Sequence, residues 1–423
     1  MVLPVLVVIG KDYPGATPVL LGVALGVYGL TQAALQLPLG LLSDYIGRKP
    51  VIIAGLVVFG VGSVTAAMAE SIEWLIAGRA LQGAGAIAAA IMALLTDLTA
   101  EQNRTKAMAS VGASIGVAFA LSLVLGPLIA AGWGLSGIFW VTAGLSGFGI
   151  LVTLFLVPNP DKQTLAASEG SLSSRLNSVI TNTQLLRLDA GVFILHMLMT
   201  ALFVAAPVLF VEQIDLPVEK HWQLYLPIMV VAFVAMVPFI IIAEKRRKMR
   251  PVFLMAVATL AVSLLLMASV PANLFLMALL LLVFFWGFNL LEATLPSLMS
   301  KLAPAGTKGA ASGIYSTCQF LGAFAGGVIG GLVLDNLGSA WIFALGGLAS
   351  LLWLAFSWSM VVPKPTSNVL VTLNGQSFEQ IVNQLRDLDG VVEVTYLQEH
   401  SAASLRVDSD QFQRTQLQEL GLS

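Results

Sequence analysis

Apolar runs of about 20 residues recur along most of this chain, the length a helix needs to cross a hydrocarbon core of roughly 30 Å. Backbone in lipid has to satisfy its own hydrogen bonds, so runs of this kind fold as helices. Reading between charges and Gly/Pro breaks places eleven spans near 17–39, 51–69, 74–96, 107–131, 136–157, 190–211, 223–243, 252–270, 273–299, 310–334 and 338–361. The apolar piece Met1 to Gly10 covers only about half of a hydrocarbon core. It lacks the basic start and cleavage site of a signal peptide, and we expect it to be the second half of a twelfth helix that begins upstream. Charged residues make up 10% of the 423, where a soluble protein carries about 25%. The predicted fold class is therefore an all-α polytopic membrane protein.

Several function classes drop out on the same grounds. A net charge of −2 supplies no basic field for nucleic acid. The lone Cys318 sits inside an apolar run, so neither a disulfide framework nor a cysteine metal site is expected, and no cofactor is implied. The chain has no Walker loop, no HExxH and no nucleophile elbow, which argues against an enzyme.

Loop charges set the orientation, because Lys and Arg accumulate on the cytoplasmic side. Arg48 and Lys49, Arg104 and Lys106, Lys162 with Arg175 and Arg187, the cluster Lys245, Arg246, Arg247, Lys248 and Arg250, then Lys301 and Lys308 fall in alternate loops. The intervening loops hold Lys11 and Lys220. The loop 158–189, the loop 244–250 and the C-terminal tail are then predicted to be cytoplasmic.

An internal repeat near 200 residues matches Pro38 and Asp44 to Pro238 and Glu244, and Thr105 to Ser110 with Thr307 to Ser312. Two repeated bundles joined by a long loop place a substrate site between them near the midplane and alternate its access by rocking. Chance likeness among Gly/Ala-rich helices is the competing explanation. The domains expected are an N-terminal bundle 1–157, a linker 158–189, a C-terminal bundle 190–361 and a soluble domain 366–423.

After the second span, Gly40, Asp44, Gly47, Arg48 and Lys49 form the pattern G-LLS-D-YI-G-RK. This resembles the signature between the second and third helices of the major facilitator superfamily. Arg79, Gln82, Gly83 and Gly85 resemble the R-xx-Q-G-x-G pattern of its drug/proton antiporter branch, and Gly112, Gly116, Gly126 and Pro127 that branch's glycine-rich fifth helix. Tyr45 stands where the family usually carries arginine. The resemblance covers about 1–361 and implies two six-helix halves, the first helix truncated here, in a bacterial inner membrane. It also implies proton-coupled exchange of a small molecule, and a conformational latch built from the first signature with Asp97 and Arg104.

Physics gives that signature its own interest. Asp44 and Asp97 are predicted at helix C-termini, where the macrodipole disfavours negative charge. Arg48 is the expected partner of Asp44, and Arg104 that of Asp97, while the helix N-terminus near Gly309 is a further acceptor for Asp44. A static loop clamp without a role in transport is the competing reading of the same residues.

Ionisable groups at membrane depth are costly and mark function by default. Glu292 is the first candidate for a protonation site, and His196 the second, since histidine ordinarily titrates near pH 6.5. A snorkelling carboxylate and a satisfied core histidine are the plainer readings. Asn289 lies one turn from Glu292 on the same helix face. Family analogy gives Arg79 a part in proton coupling, although a packing cation bonded to carbonyls fits as well. Gln32 and Gln36, spaced i,i+4, line a cavity or glue helices together. Gly112, Gly116 and Gly126, with Gly322, Gly326, Gly327, Gly330 and Gly331, permit close helix approach, and Pro127 a kink.

Beyond Pro363 the pattern changes to alternating strands near 369–373, 391–397 and 403–407 and helices near 377–388 and 411–420, an order that resembles a ferredoxin-like fold. Related metal-binding domains carry C-x-x-C where this chain has Asn374, Gly375 and Gln376, so no metal is expected. From Asn368 onward the tail holds eight acids and three arginines, a balance suited to docking on its own basic loops or on another tail. The partners expected are protons, a small amphiphilic substrate and the lipid bilayer, with no nucleic acid. A membrane sensor or scaffold whose tail is the output is the alternative.

Overall fold

A computed structural model of the chain describes residues 1–99, 103–158, 172–303, 307–360, 366–373, 378–397, 402–408, 411–413, 415–420 and 422. The linker residues 159–171 and the turn Asn374 to Gln376 lie outside these, as does the side chain of Arg104. Two compact units result, Met1–Val361 and Val362–Ser423.

The first unit opens with α1 (Leu6–Ile9) and a single 3-10 turn at Gly10–Asp12. It continues with α2 (Pro18–Ile46), α3 (Arg48–Ala67), α4 (Ile72–Ala84), α5 (Ala88–Asp97), α6 (Arg104–Phe155), α7 (Leu172–Ile180) and α8 (Thr183–Glu212). A 3-10 turn at Val218–Lys220 leads to α9 (His221–Lys245), α10 (Met249–Ser269), α11 (Leu274–Leu302), α12 (Lys308–Leu337) and α13 (Ser339–Ser357). Local chemistry explains several boundaries. The Thr17 hydroxyl accepts from the Leu20 amide, with Pro18 at the first helical position. Asn182 and Asn273 cap α8 and α11 in the same way. Gly47, at φ +98°, makes the reversal from α2 to α3 in a region that favours glycine.

Among the described residues, ten stretches are long and apolar enough to cross a membrane. One of them, Ser110–Phe155, has 46 residues, which is about 69 Å of helix and twice what a bilayer core requires. It turns at Gly134 (φ +63°, ψ −168°), so it supplies the two spans expected at 107–131 and 136–157. Helices α4 and α5 together form one span, interrupted around Gly85, where a side chain would collide with the Gly55 carbonyl of α3. The spans read from hydropathy are therefore all present.

Helix α12 is wedged between α2 and α8. A Cβ on Gly22, Gly26 or Gly29 would overlap backbone atoms of Gly327, Phe324 or Phe320, and one on Gly322 or Gly326 would overlap the carbonyls of Phe193 or Met197. Such backbone approach is what small residues allow in lipid, where dispersion replaces the hydrophobic effect as the packing force. At the same end as Pro18, Lys11 pairs with Glu212 of α8. The end of α2 that carries Asp44 is looser, with Tyr45 83% exposed and open space around Gly309.

The second unit is β1 (Thr366–Thr372), α14 (Phe378–Arg386), β2 (Val391–Leu397), β3 (Ala402–Asp408) and α15 (Thr415–Glu419). β3 lies between β1 and β2 and runs antiparallel to both, the split β-α-β arrangement of ferredoxin-like folds. Val371, Leu373, Ile381, Leu385, Leu405 and Val407 fill its core.

Candidate functional site

The signature after α2 assembles as a charge cluster. Arg48 is the first residue of α3, where a helix dipole disfavours a cation, while Asp44 and Asp97 stand near the C-terminal ends of α2 and α5, where it disfavours anions. Each unfavourable end is satisfied by the others. The Arg48 guanidinium pairs with Asp44, donates from Nε to Asp97 Oδ2 at 3.0 Å and from Nη1 to the Ser43 hydroxyl at 2.8 Å. Asp97 thus has Arg48 as a partner, and its expected pairing with Arg104 lies outside the described side chains. Lys49 donates to the Val157 carbonyl at 2.8 Å and so caps the far end of α6. A Cβ on Gly40 would sit 3.0 Å from the Ala89 Cβ, so this glycine admits α5. Among the described residues, the partners of the cluster belong to the N-terminal half, and no contact of Asp44 with the start of α12 is found there.

The matching position in the second half again pairs an acid with a cation, here drawn from a different helix. Glu244, at the end of α9, accepts from Lys301 at 2.7 Å and from Ser297 at 3.0 Å, both on α11.

Deeper in the bundle, His196 of α8, Glu292 of α11 and Gln319 of α12 come together. His196 Nδ1 lies 3.1 Å from the Val192 carbonyl, an acceptor, so Nδ1 carries the proton. Nε2 is then free to accept from the Gln319 amide at 2.8 Å. Glu292 Oε2 stands 3.7 Å from the same Nε2, too far for a hydrogen bond, and is buried without a partner among the described residues. Protonating the imidazole turns Nε2 into a donor, which breaks the bond from the Gln319 amide and attracts the Glu292 carboxylate. Three helices are thus joined by one titratable ring. Phe288 packs edge-on against that ring at 5.9 Å between centroids, within the set Phe284, Phe285 and Phe288. Asn289 is 6% exposed with its Nδ2 unpartnered among the described residues.

Arg79 takes the packing geometry. It donates to the Ala24 carbonyl at 3.2 Å and to Gln82 at 2.7 Å, and it lies over the Tyr28 ring at 4.9 Å. Gln82 passes the chain of bonds on to Ser63 of α3. Gln32 and Gln36 are both buried and bonded to each other at 3.4 Å, so their stripe faces protein. Gly116 packs on Phe233 and Gly126 on the Met1 carbonyl, whereas a Cβ on Gly112 would meet nothing within 4 Å. The packing role expected for Gly112 is corrected accordingly. Pro127 lies inside α6.

Two participants escaped the sequence reading. Gln319 belongs to the polar run Tyr315, Ser316, Thr317, Cys318 and Gln319 in an otherwise apolar span, a signal that was there to be read. Asp189 looked like a loop residue at the edge of a span, but α8 begins at Thr183, and the aspartate is only 4% exposed.

Comparison with known proteins agrees with this architecture. The profile of the Major Facilitator Superfamily matches residues 1–327 and 250–382. The chain is 42% identical over 421 residues to the inner membrane transport protein YajR of Escherichia coli (strain K12), covering 99% of this chain and 92% of that one. It is also similar to the multidrug resistance protein MdtL of Klebsiella pneumoniae (strain 342), 30% identical over 38% of this chain and 43% of that one. The solved human organic anion transporter MFSD10 superposes with a TM-score of 0.58 at 20% identity, covering 80% of this chain and 84% of its own, a likeness of fold alone. With its glycine-packed helices, its charged reversal after α2 and these matches along nearly its whole length, the chain belongs to the major facilitator superfamily of membrane transporters.

Proposed function

We propose that this transporter is a proton-coupled exporter of small amphiphilic compounds in a bacterial inner membrane, with its Lys/Arg-rich face and its tail in the cytoplasm. The observation that carries the coupling is the His196, Glu292 and Gln319 cluster, a titratable ring and an unpartnered carboxylate oxygen held inside the spans by three helices of one half. A proton taken up by Glu292 and relayed to the ring changes which helices attract one another. The inner-membrane name of the Escherichia coli relative and the multidrug name of the Klebsiella relative support the location and the substrate class.

Conformation fits the same cycle. The halves touch at the Pro18 end through Gly22, Gly26 and Gly327 and through Lys11 with Glu212, and are looser at the Asp44 end, as an inward-facing carrier would be. The Arg48 cluster then acts as the latch that engages α12 when the cytoplasmic side closes. Reconstitution into proteoliposomes with an imposed pH gradient and a panel of lipophilic dyes tests the proposal. Dye movement driven by the gradient and abolished by Glu292→Gln is expected; gradient-independent movement, or an undiminished Glu292→Gln variant, would contradict it.

A further inference from the structure

Asp189 is a second carboxyl group inside the C-terminal half that no part of the proposed cycle has used. Its side chain is nearly fully buried, and its Oδ2 has no hydrogen-bond partner among the described residues. Nor does any cation pair with it among those residues: Arg187, two positions earlier, points away, donating to the Ser359 carbonyl at 2.7 Å with its guanidinium over Phe356. Among the described residues, Tyr315 and Cys318 of α12 are the titratable groups within electrostatic reach of Asp189, and Tyr315 is within reach of Glu292 on α11 as well. The Tyr315 hydroxyl is itself buried and unpartnered among the described residues. A buried carboxyl oxygen without a partner among the described residues is not a stabilising feature, because nothing there offsets the water it has lost.

Depth orders these groups. Measured at about 1.5 Å per residue from the ends of α8, α11 and α12 at the Lys/Arg-rich face, Asp189 and Tyr315 lie about 10 Å inside, Glu292 and Gln319 about 16 Å and His196 about 20 Å. The two carboxyls therefore sit at successive depths.

We propose that Asp189 is a second protonation site, the outer station through which Glu292 exchanges its proton with the cytoplasmic side. In the step, the O–H bond on Glu292 breaks as one forms on Asp189, so the pair keeps one proton and one negative charge through the transfer. The inference rests on the proton-coupling reading of Glu292, and the test separates the two.

Infrared difference titration of the purified full-length protein in detergent, from about pH 4 to about pH 9, reads protonated carboxyl groups directly and needs no substrate. Two titrating carboxyl bands are expected. Asp189→Asn removes one, Glu292→Gln removes the other, and each substitution moves the pH at which the remaining band titrates. Asp189→Glu restores a titrating band, which a merely structural role would not require, and monodisperse elution of all three variants confirms that they fold. An Asp189→Asn spectrum identical to that of the parent overturns the Asp189 proposal alone. A Glu292→Gln spectrum identical to that of the parent overturns the reading on which it rests.

Discussion

Arg48 touches Asp44, Asp97 and Ser43 at once, a task that suits a planar fork of donors and not a single ammonium group. Arg48→Lys is therefore expected to melt well below the parent, at a cost of about 1–3 kcal/mol, and to approach Arg48→Ala; a fully stable lysine variant would show that only charge matters. Asp44→Asn should insert normally yet lose most transport in a vesicle flux assay, and full activity would end the latch reading. Arg79→Leu strands the Ala24 carbonyl and Gln82, with an expected loss of about 1–3 kcal/mol in a thermal melt. At this scale the sequence was partly readable. The Asp44 and Arg48 spacing follows from i,i+4 geometry, and the depth of Glu292 and His196 from hydropathy. The partner of Asp97 was not readable, because a helix reversal at Gly47 brings Arg48 across to α5 and no spacing rule spans 49 residues. Asp189 was missed because span edges drawn by charge exclude the very residue that is buried.

At the scale of elements, packing is set by where side chains are absent. Gly22→Val would force α2 off the Gly327 carbonyl, a backbone atom that cannot swing aside, and overpacking of this kind typically costs about 1–3 kcal/mol or more. Gly112→Val meets open space and should be nearly neutral in the same melting assay. Runs of glycine announced close packing in both α6 and α12, but which glycine meets a neighbour depends on the rotation of each helix, which composition does not encode. The tail makes an independent case. Leu405 is fully buried at the centre of the three-stranded sheet, and Leu405→Ala, at about 2–5 kcal/mol, is expected to unfold this small unit. Limited proteolysis should then remove the tail and leave the membrane unit intact, as its separate core implies.

For the whole molecule, the length of the apolar runs made the membrane spans legible, since span length follows from the bilayer itself. What they left hidden is the conformation, because glycine faces on α2 and α12 suit more than one tilt of the halves. Alternation of that tilt is the central claim, and the Pro18 end is where it is most directly stopped. Lys11 and Glu212 are exposed at 44% and 55%, so their ion pair contributes little and both tolerate replacement. With Cys318→Ser as background, Lys11→Cys with Glu212→Cys can be joined by a short cleavable thiol crosslinker in proteoliposomes. Flux driven by a pH gradient should vanish on crosslinking and return on cleavage, and crosslinked protein that transports at the undiminished rate would contradict the account.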